Sequence, residues 1–209
     1  MLEIACRCGQ VRATLDEPSP RALGRTVCYC ADCQAFAHHL GRADLLDARG
    51  GSDIVPLAPA SLVFHQGRDR IAAVRLSPKG VHRFYATCCH TPLGNTVGPK
   101  VPFVGLLTEA FEGSGQKPDE ILQPPVGAIF GEHAIGGPPP GSKGVRFGFM
   151  LTALLRMIGW RIAGRVWPHP FFDRATRKPL YPVKVLTREE RDALRPFCGP
   201  APSRAAASA

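Results

Sequence analysis

The sequence predicts a mainly β chain: a small antiparallel β domain stapled by metal, followed by a helical, basic C-terminal extension. Three observations predict it. Short apolar-alternating runs separated by turn residues fill the first hundred positions. Seven of the eight cysteines fall in three clusters within the first ninety residues. Apolar residues recur at helical spacing only after residue 145.

Residues 2–15 alternate around Cys6-Arg7-Cys8 and read as strand, turn and second strand, the latter over Gln10 to Leu15. After Val27, Cys28-Tyr29-Cys30-Ala31-Asp32-Cys33 opens a turn that continues as a short helix through Ala37. Ala60 to His65 and Ile71 to Leu76 are strands joined by a turn containing Gly67. Val81 to Ala86 is another strand, running straight into Cys88-Cys89.

After Thr96 the character changes. Residues 97–144 are rich in Gly and Pro and read as a connecting segment, 98–144 between two units. Phe147, Leu151, Leu154, Leu155, Ile158 and Ile162 make one apolar stripe on a helix over 145–165, with Arg146 and Arg156 on its other side. Core packing against the β domain is the expected use of that stripe; a membrane-surface or partner-binding helix is the sharper alternative. Thr187-Arg188-Glu189-Glu190 is a capping box that opens a last short helix, closed by Pro196. The units expected are thus 1–97, 98–144, 145–198 and a disordered tail over 199–209, rich in Pro and Ala.

The net charge of +9 is uneven. Residues 1–141 hold 13 Lys/Arg and 13 Asp/Glu, whereas residues 142–209 hold 13 and 4, which is the whole excess. Solvation of an amphipathic segment is the simpler use of that charge. Contact of the basic C-terminal region with nucleic acid, a membrane surface or an acidic partner is the alternative. The longest apolar stretch, Phe147 to Leu155, is too short to span a bilayer. The N-terminus lacks a basic start followed by an apolar run, so a cytoplasmic location with reduced thiols is expected rather than a disulfide framework.

Paired thiols at these spacings suit tetrahedral sulfur sites for zinc. Seven ligands divide into a closed site of four and an open site of three. Cys28, Cys30 and Cys33 lie in one tight turn and form the set of three. Cys6 and Cys8 begin the other and need partners from the Cys88-Cys89 turn. Cys198 stands apart and reads as a small buried hydrophobe. An open zinc on three thiolates is electron-rich and better suited to holding another thiolate, or polarising a small carbonyl, than to making hydroxide.

The motifs Cys6-Arg7-Cys8-Gly9-Gln10-Val11-Arg12, Cys28-Tyr29-Cys30-Ala31-Asp32-Cys33 and Arg83-Phe84-Tyr85-Ala86-Thr87-Cys88-Cys89-His90-Thr91-Pro92-Leu93 resemble the glutathione-dependent formaldehyde-activating, or centromere-protein-V type, family over about residues 2–97. The resemblance implies a tent-like, Mss4-like β fold binding one or two Zn2+. It implies carbon–sulfur lyase chemistry on the adduct of glutathione, or another small thiol, with formaldehyde or a related small aldehyde. It assigns Cys28, Cys30 and Cys33 to the catalytic zinc, and the first and third motifs to the structural one. The third motif departs from the family's C-x-x-C-G-T: Ala86 stands at the first cysteine and His90 at the glycine. Neighbours in a strand point to opposite faces, so Cys88 and Cys89 can share an ion only in irregular backbone; otherwise His90 or His82 is the fourth ligand. After Cys33 the chain has Gln34-Ala35-Phe36-Ala37-His38-His39 where the family has a Gly-Ser stretch, and the two histidines read as ordinary helix-end residues. Arg42, Arg68 and Arg70 are candidates, by charge alone, for the carboxylates of glutathione. Two other readings are a non-catalytic zinc module whose basic C-terminal region binds an anionic partner, and a redox or metal-buffering thiol protein.

Overall fold

A computed structural model describes residues 1–16, 24–140, 142 and 147–200. Arg146 and most of the expected tail lie outside the described residues. The strands are β1 (Leu2–Ala5), β2 (Arg12–Leu15), β3 (Thr26–Cys28), β4 (Ser52–Leu57), β5 (Leu62–Gln66), β6 (Ile71–Arg75), β7 (His82–Ala86), β8 (Pro92–Thr96), β9 (Val104–Leu107), β10 (Ala128–Ile129) and β11 (Val183–Val185). The helices are α1 (Ala31–His39), α2 (Glu109–Glu112), α3 (Pro118–Ile121), α4 (Phe147–Ile162) and α5 (Arg188–Asp192).

The fold is mainly β, as expected. One antiparallel sheet has the order β1-β2-β5. A larger mixed sheet runs β10-β3-β4-β9-β8-β7-β6-β11. Its outer pairs, β10 with β3 and β11 with β6, are parallel, and the inner pairs are antiparallel. The main apolar core joins β1, β2 and β5 to β4, β6, β7, β8 and β9. Along β6, Ile71 and Ala73 enter this core while Val74 enters a second cluster with Phe36 of α1 and with Leu40, which caps that helix, as strand alternation requires. The helix carrying the second thiol motif therefore packs on the larger sheet through its other face.

The segment expected as a connector supplies the middle of that sheet. Val104–Leu107 is wholly buried between β4 and β8. β8, Pro92–Thr96, is also wholly buried, although Pro-Leu-Gly-Asn-Thr has little strand propensity. Packing decides it: a Cβ on Gly94 would lie 3.1 Å from the Phe171 ring and from Val104, so glycine admits the ring. Phe171 stacks on Phe84 of β7 at 3.9 Å between centroids and 3° between planes, tying the C-terminal segment into the main core. The fully buried Gln34 adds a second tie. Its amide donates to the carbonyls of Tyr29 and His133, and its oxygen accepts from the Gly199 N–H at 2.7 Å.

The capping box at Thr187 is present, with the Glu190 N–H on the Thr187 hydroxyl and the Glu190 carboxylate on the Thr187 N–H. α4 differs from expectation. Trp160 is buried, but Leu151, Leu154, Leu155, Ile158 and Ile162 of the stripe are exposed. Helical spacing identifies an apolar face without saying what covers it, and here the helix seats its opposite side on the protein.

Two outcomes follow for stability. Phe171→Ala should cost about 3–5 kcal/mol in chemical denaturation, within a single cooperative transition, because the ring belongs to the main core. His169 is buried and burial alone pulls its pKa from 6.5 down to about 4. The fold therefore holds it neutral, and the unfolded chain takes up a proton first as pH falls. Stability present above pH about 6.5 is lost towards pH about 4, by at most about 3 kcal/mol. His169→Asn, which keeps an acceptor for the Phe171 N–H, should flatten that part of the urea-midpoint profile.

Candidate metal centres

Two groups of cysteines can each hold a metal ion, and together they use all seven clustered thiols. The four-thiol group is built from two turns. Cys6 and Cys8 leave β1 through a turn in which Gly9 takes φ +73°, a left-handed conformation natural to glycine. Cys88 and Cys89 sit in the turn between β7 and β8, where the strand pairing shifts register at Phe84/Tyr85. This turn supplies the irregular backbone that lets neighbouring residues face one point, and His90 closes it at φ +56°.

The sulfur spacing tests the fit. A tetrahedral ion with metal–sulfur bonds of about 2.3 Å, the zinc–thiolate length, holds its sulfurs about 3.8 Å apart. The separations are 3.6 Å for Cys6–Cys8, 3.8 Å for Cys6–Cys88, 3.4 Å for Cys8–Cys88 and 3.9 Å for Cys88–Cys89. All eight cysteines are free thiols. The fourth candidate donor of the group is thus a cysteine rather than a histidine: His90 turns its Nδ1 to the Leu40 carbonyl at 3.0 Å, and His82 is absent from the group.

The surroundings favour thiolate at selected sulfurs. The Val11 N–H donates to Cys6 Sγ at 3.2 Å. Burial works against ionisation of Cys89, but the Thr91 hydroxyl 3.2 Å away and the Cys8 and Thr91 N–H groups outweigh it and bring its pKa down to about 6. Burial raises Cys6 and Cys88. Adjacent thiols resist losing every proton at once, and an ion relieves that resistance.

The three-thiol group lies where β3 runs into α1. Cys28 ends the strand, Cys30 caps the helix by accepting from the Cys33 N–H at 3.3 Å, and Cys33 sits in the first turn. Cys28 and Cys33 sulfurs are 3.7 Å apart, and all three lie within 4.8 Å of one another. Arg83 of β7, only 3% exposed, donates from Nη1 to Cys33 Sγ at 3.5 Å. Its nearest carboxylate, Asp32, is 3.9 Å away, and Phe36 packs beneath the guanidinium at 5.5 Å. Hydrogen bonds from Cys28 and Cys30, with the Arg83 charge, hold Cys33 well below the usual thiol range, while its neighbours push Cys28 up.

A narrow cleft of about 10 Å3 lies beside Cys33, lined by Phe36, Leu40, Arg83, Asn95 and Leu107. It is narrow enough that only about one water-sized molecule fits freely. The Asn95 Oδ1 is buried there without a hydrogen-bond partner among the described residues. Neither Arg83 nor Asn95 stood out in the sequence; strand alternation along Val81 to Ala86 marks only a side, not a neighbour.

The other expected residues have other places. Arg42 is buried in a fork with Asp44 and reaches Glu109 at 2.8 Å, so its charge is already met. Arg68 and Arg70 lie in the β5–β6 turn. His38 stacks on Phe197 at 4.9 Å, and neither it nor His39 joins a thiol group. Cys198 donates to the Ala31 and Leu194 carbonyls and likewise lies outside both groups.

Purified protein should carry two equivalents of metal per chain. Cys8→Ser with Cys88→Ser should remove one, and Cys28→Ser with Cys30→Ser the other. Elemental analysis of the wild type and both variants checks this, and loss of both metals in each variant would contradict two independent centres.

The model of a family described as "Family of unknown function (DUF6151)" matches residues 1–183. No curated protein matches the chain. Among solved structures, the crystal structure of a Rhodobacter sphaeroides protein is similar at 13% identity and a TM-score of 0.43, over 61% of this chain and 100% of that one. With 183 of its 209 positions inside the family model, the chain belongs to the DUF6151 family.

Proposed function

We propose that the chain is a zinc protein with a structural ion on Cys6, Cys8, Cys88 and Cys89 and a reactive ion on Cys28, Cys30 and Cys33, acting as a carbon–sulfur lyase on a thiol–aldehyde adduct such as S-hydroxymethylglutathione. One observation carries the reading: three converging thiols beside a buried guanidinium, with Cys33 and Arg83 both lining one narrow cleft. The sulfur spacing and the all-thiol donor sets support zinc. The likeness of the three motifs to the formaldehyde-activating family supports the reaction class.

Bound zinc supplies a soft Lewis-acid position where a thiolate sulfur can be held. The reaction breaks the C–S bond of RS–CH2OH: the hydroxyl proton passes to solvent water, the O–H pair becomes the second C–O bond of the departing formaldehyde, and the sulfur keeps the C–S electron pair as a thiolate. The protein's part is to arrange the surroundings. Three thiolates and a dication sum to −1, and Arg83 brings the buried group to neutrality. That balance matters because an unpaired charge out of water is costly. The cleft beside Cys33 suits a one-carbon fragment better than a bulky aldehyde. Asn95 offers a buried amide whose oxygen can accept the adduct's hydroxyl proton in a hydrogen bond.

Exchange between free formaldehyde and its glutathione adduct, followed by magnetisation-transfer NMR with 13C-formaldehyde, tests the activity. Acceleration by the wild type and none by Cys30→Ser, with the four-thiol metal retained, is the expected result. No acceleration with glutathione, cysteine or coenzyme A would sink the lyase reading.

Arg83→Leu should lower metal occupancy of the three-thiol centre and leave the four-thiol centre filled. The cost of leaving that centre's charge unmatched is about 3–5 kcal/mol. Arg83→Lys should restore part of it, and stoichiometry falling from two metals towards one only in the leucine variant is the readout.

A further inference from the structure

We propose that the outer face of α4 and the cationic cleft at its C-terminal end form one docking surface for an anionic phospholipid membrane. The surface is independent of the chemistry at the thiols. Met150, Leu151, Leu154, Leu155, Ile158 and Ile162 are 44–83% exposed. At 100° per residue they fall within an arc of about 140°, so they form one continuous strip along the helix. Trp160 is buried on the other side of the helix and anchors it. A contiguous apolar face on this scale marks a place where something binds.

Charge identifies the occupant. α4 contains no acidic residue. Where it ends, Lys100, Arg161, Arg174 and Arg177 line an open cleft of about 520 Å3 together with Val166 and Trp167. Arg161 Nη1 donates to the Lys100 carbonyl at 2.9 Å, and the Arg177 guanidinium lies 4.7 Å over the Trp167 ring, so these two guanidiniums are held in place. Residues 147–178 hold six Lys/Arg against one acid, Asp173, whose carboxylate is engaged by the Thr176 N–H and hydroxyl. Apolar side chains in a strip, flanked by Arg, Lys and Trp, match a helix lying in the plane of a membrane interface, where the cations meet lipid phosphates. At 16 residues the helix is too short to span a bilayer, and no helix among the described residues is long and apolar enough to do so. A second copy would bring two strongly basic regions together, since residues 142–209 carry the whole +9. A nucleic acid would satisfy the cleft and leave the apolar strip bare.

Co-sedimentation of the full chain with vesicles tests this. Phosphatidylcholine vesicles containing phosphatidylserine should pellet the protein, and phosphatidylcholine alone should not. Leu154→Glu with Leu155→Glu should abolish pelleting. Each basic side chain near an anionic surface contributes about fivefold in affinity, so Arg174→Ala with Arg177→Ala should weaken binding about 25-fold. All four positions are exposed, and unchanged metal content would verify that the variants fold. Equal binding to neutral vesicles would overturn the role of the cleft, as would competition by inorganic phosphate with the apolar variant still bound. No pelleting of the wild type would overturn the proposal outright. If analytical ultracentrifugation then shows a dimer that the Leu154/Leu155 variant splits, the face belongs to a second copy.

Discussion

One strand, β7, links both thiol groups to the core. Its buried Phe84 stacks on Phe171, its Arg83 reaches Cys33, and its end runs into the turn of Cys88 and Cys89. Residues some eighty positions apart bring sulfurs within 3.8 Å because this strand has one seating between β6 and β8. A slip of one residue would turn Phe84 out of the core, withdraw Arg83 and move the cysteine turn. One register of this strand therefore places the core ring, the guanidinium and the cysteine turn together.

The two thiol groups meet the same electrostatic problem in different ways. In the four-thiol group, backbone N–H groups and the Thr91 hydroxyl are the local donors to Cys6 and Cys89, and Cys8 is exposed to water. In the three-thiol group, burial is deeper and compensation comes from the full charge of Arg83. A closed site needs only stable ligation. A metal site with three protein ligands keeps a position open for an incoming group, which a closed site of four does not.

Much of the metal-site composition was legible in the sequence because cysteine spacing is a local signal. All seven clustered cysteines fall into the two groups their spacing suggested. The choice between Cys88, Cys89 and the nearby histidines was not legible, since it depends on a turn that occupies the left-handed region at His90. Arg83 and Asn95 were invisible for a different reason: their partners lie on other strands, and one sequence carries no record of strand order. The same limit hid β8 and β9. Pro92-Leu93-Gly94-Asn95-Thr96 reads as turn-forming, yet it is central because Gly94 leaves room for Phe171, a residue outside the region covered by the motifs.

α4 shows the complementary failure. Its period was plain, and the inference from apolar stripe to core was reasonable, because burying a large aliphatic side chain contributes about 1.5–3 kcal/mol. Six such side chains held in water forgo most of that contribution. An isolated helix of this length is marginal, so its place must be held by what it does bury or bond: Trp160 in the protein, Arg161 on the Lys100 carbonyl, and Arg165 on the Ser61 hydroxyl. These ties fix the inner side and the C-terminal end, leaving the apolar strip facing outward. A chain that anchors a helix this way, and sets four cations beside its end, keeps in reserve the free energy that a second, apolar and anionic environment would release.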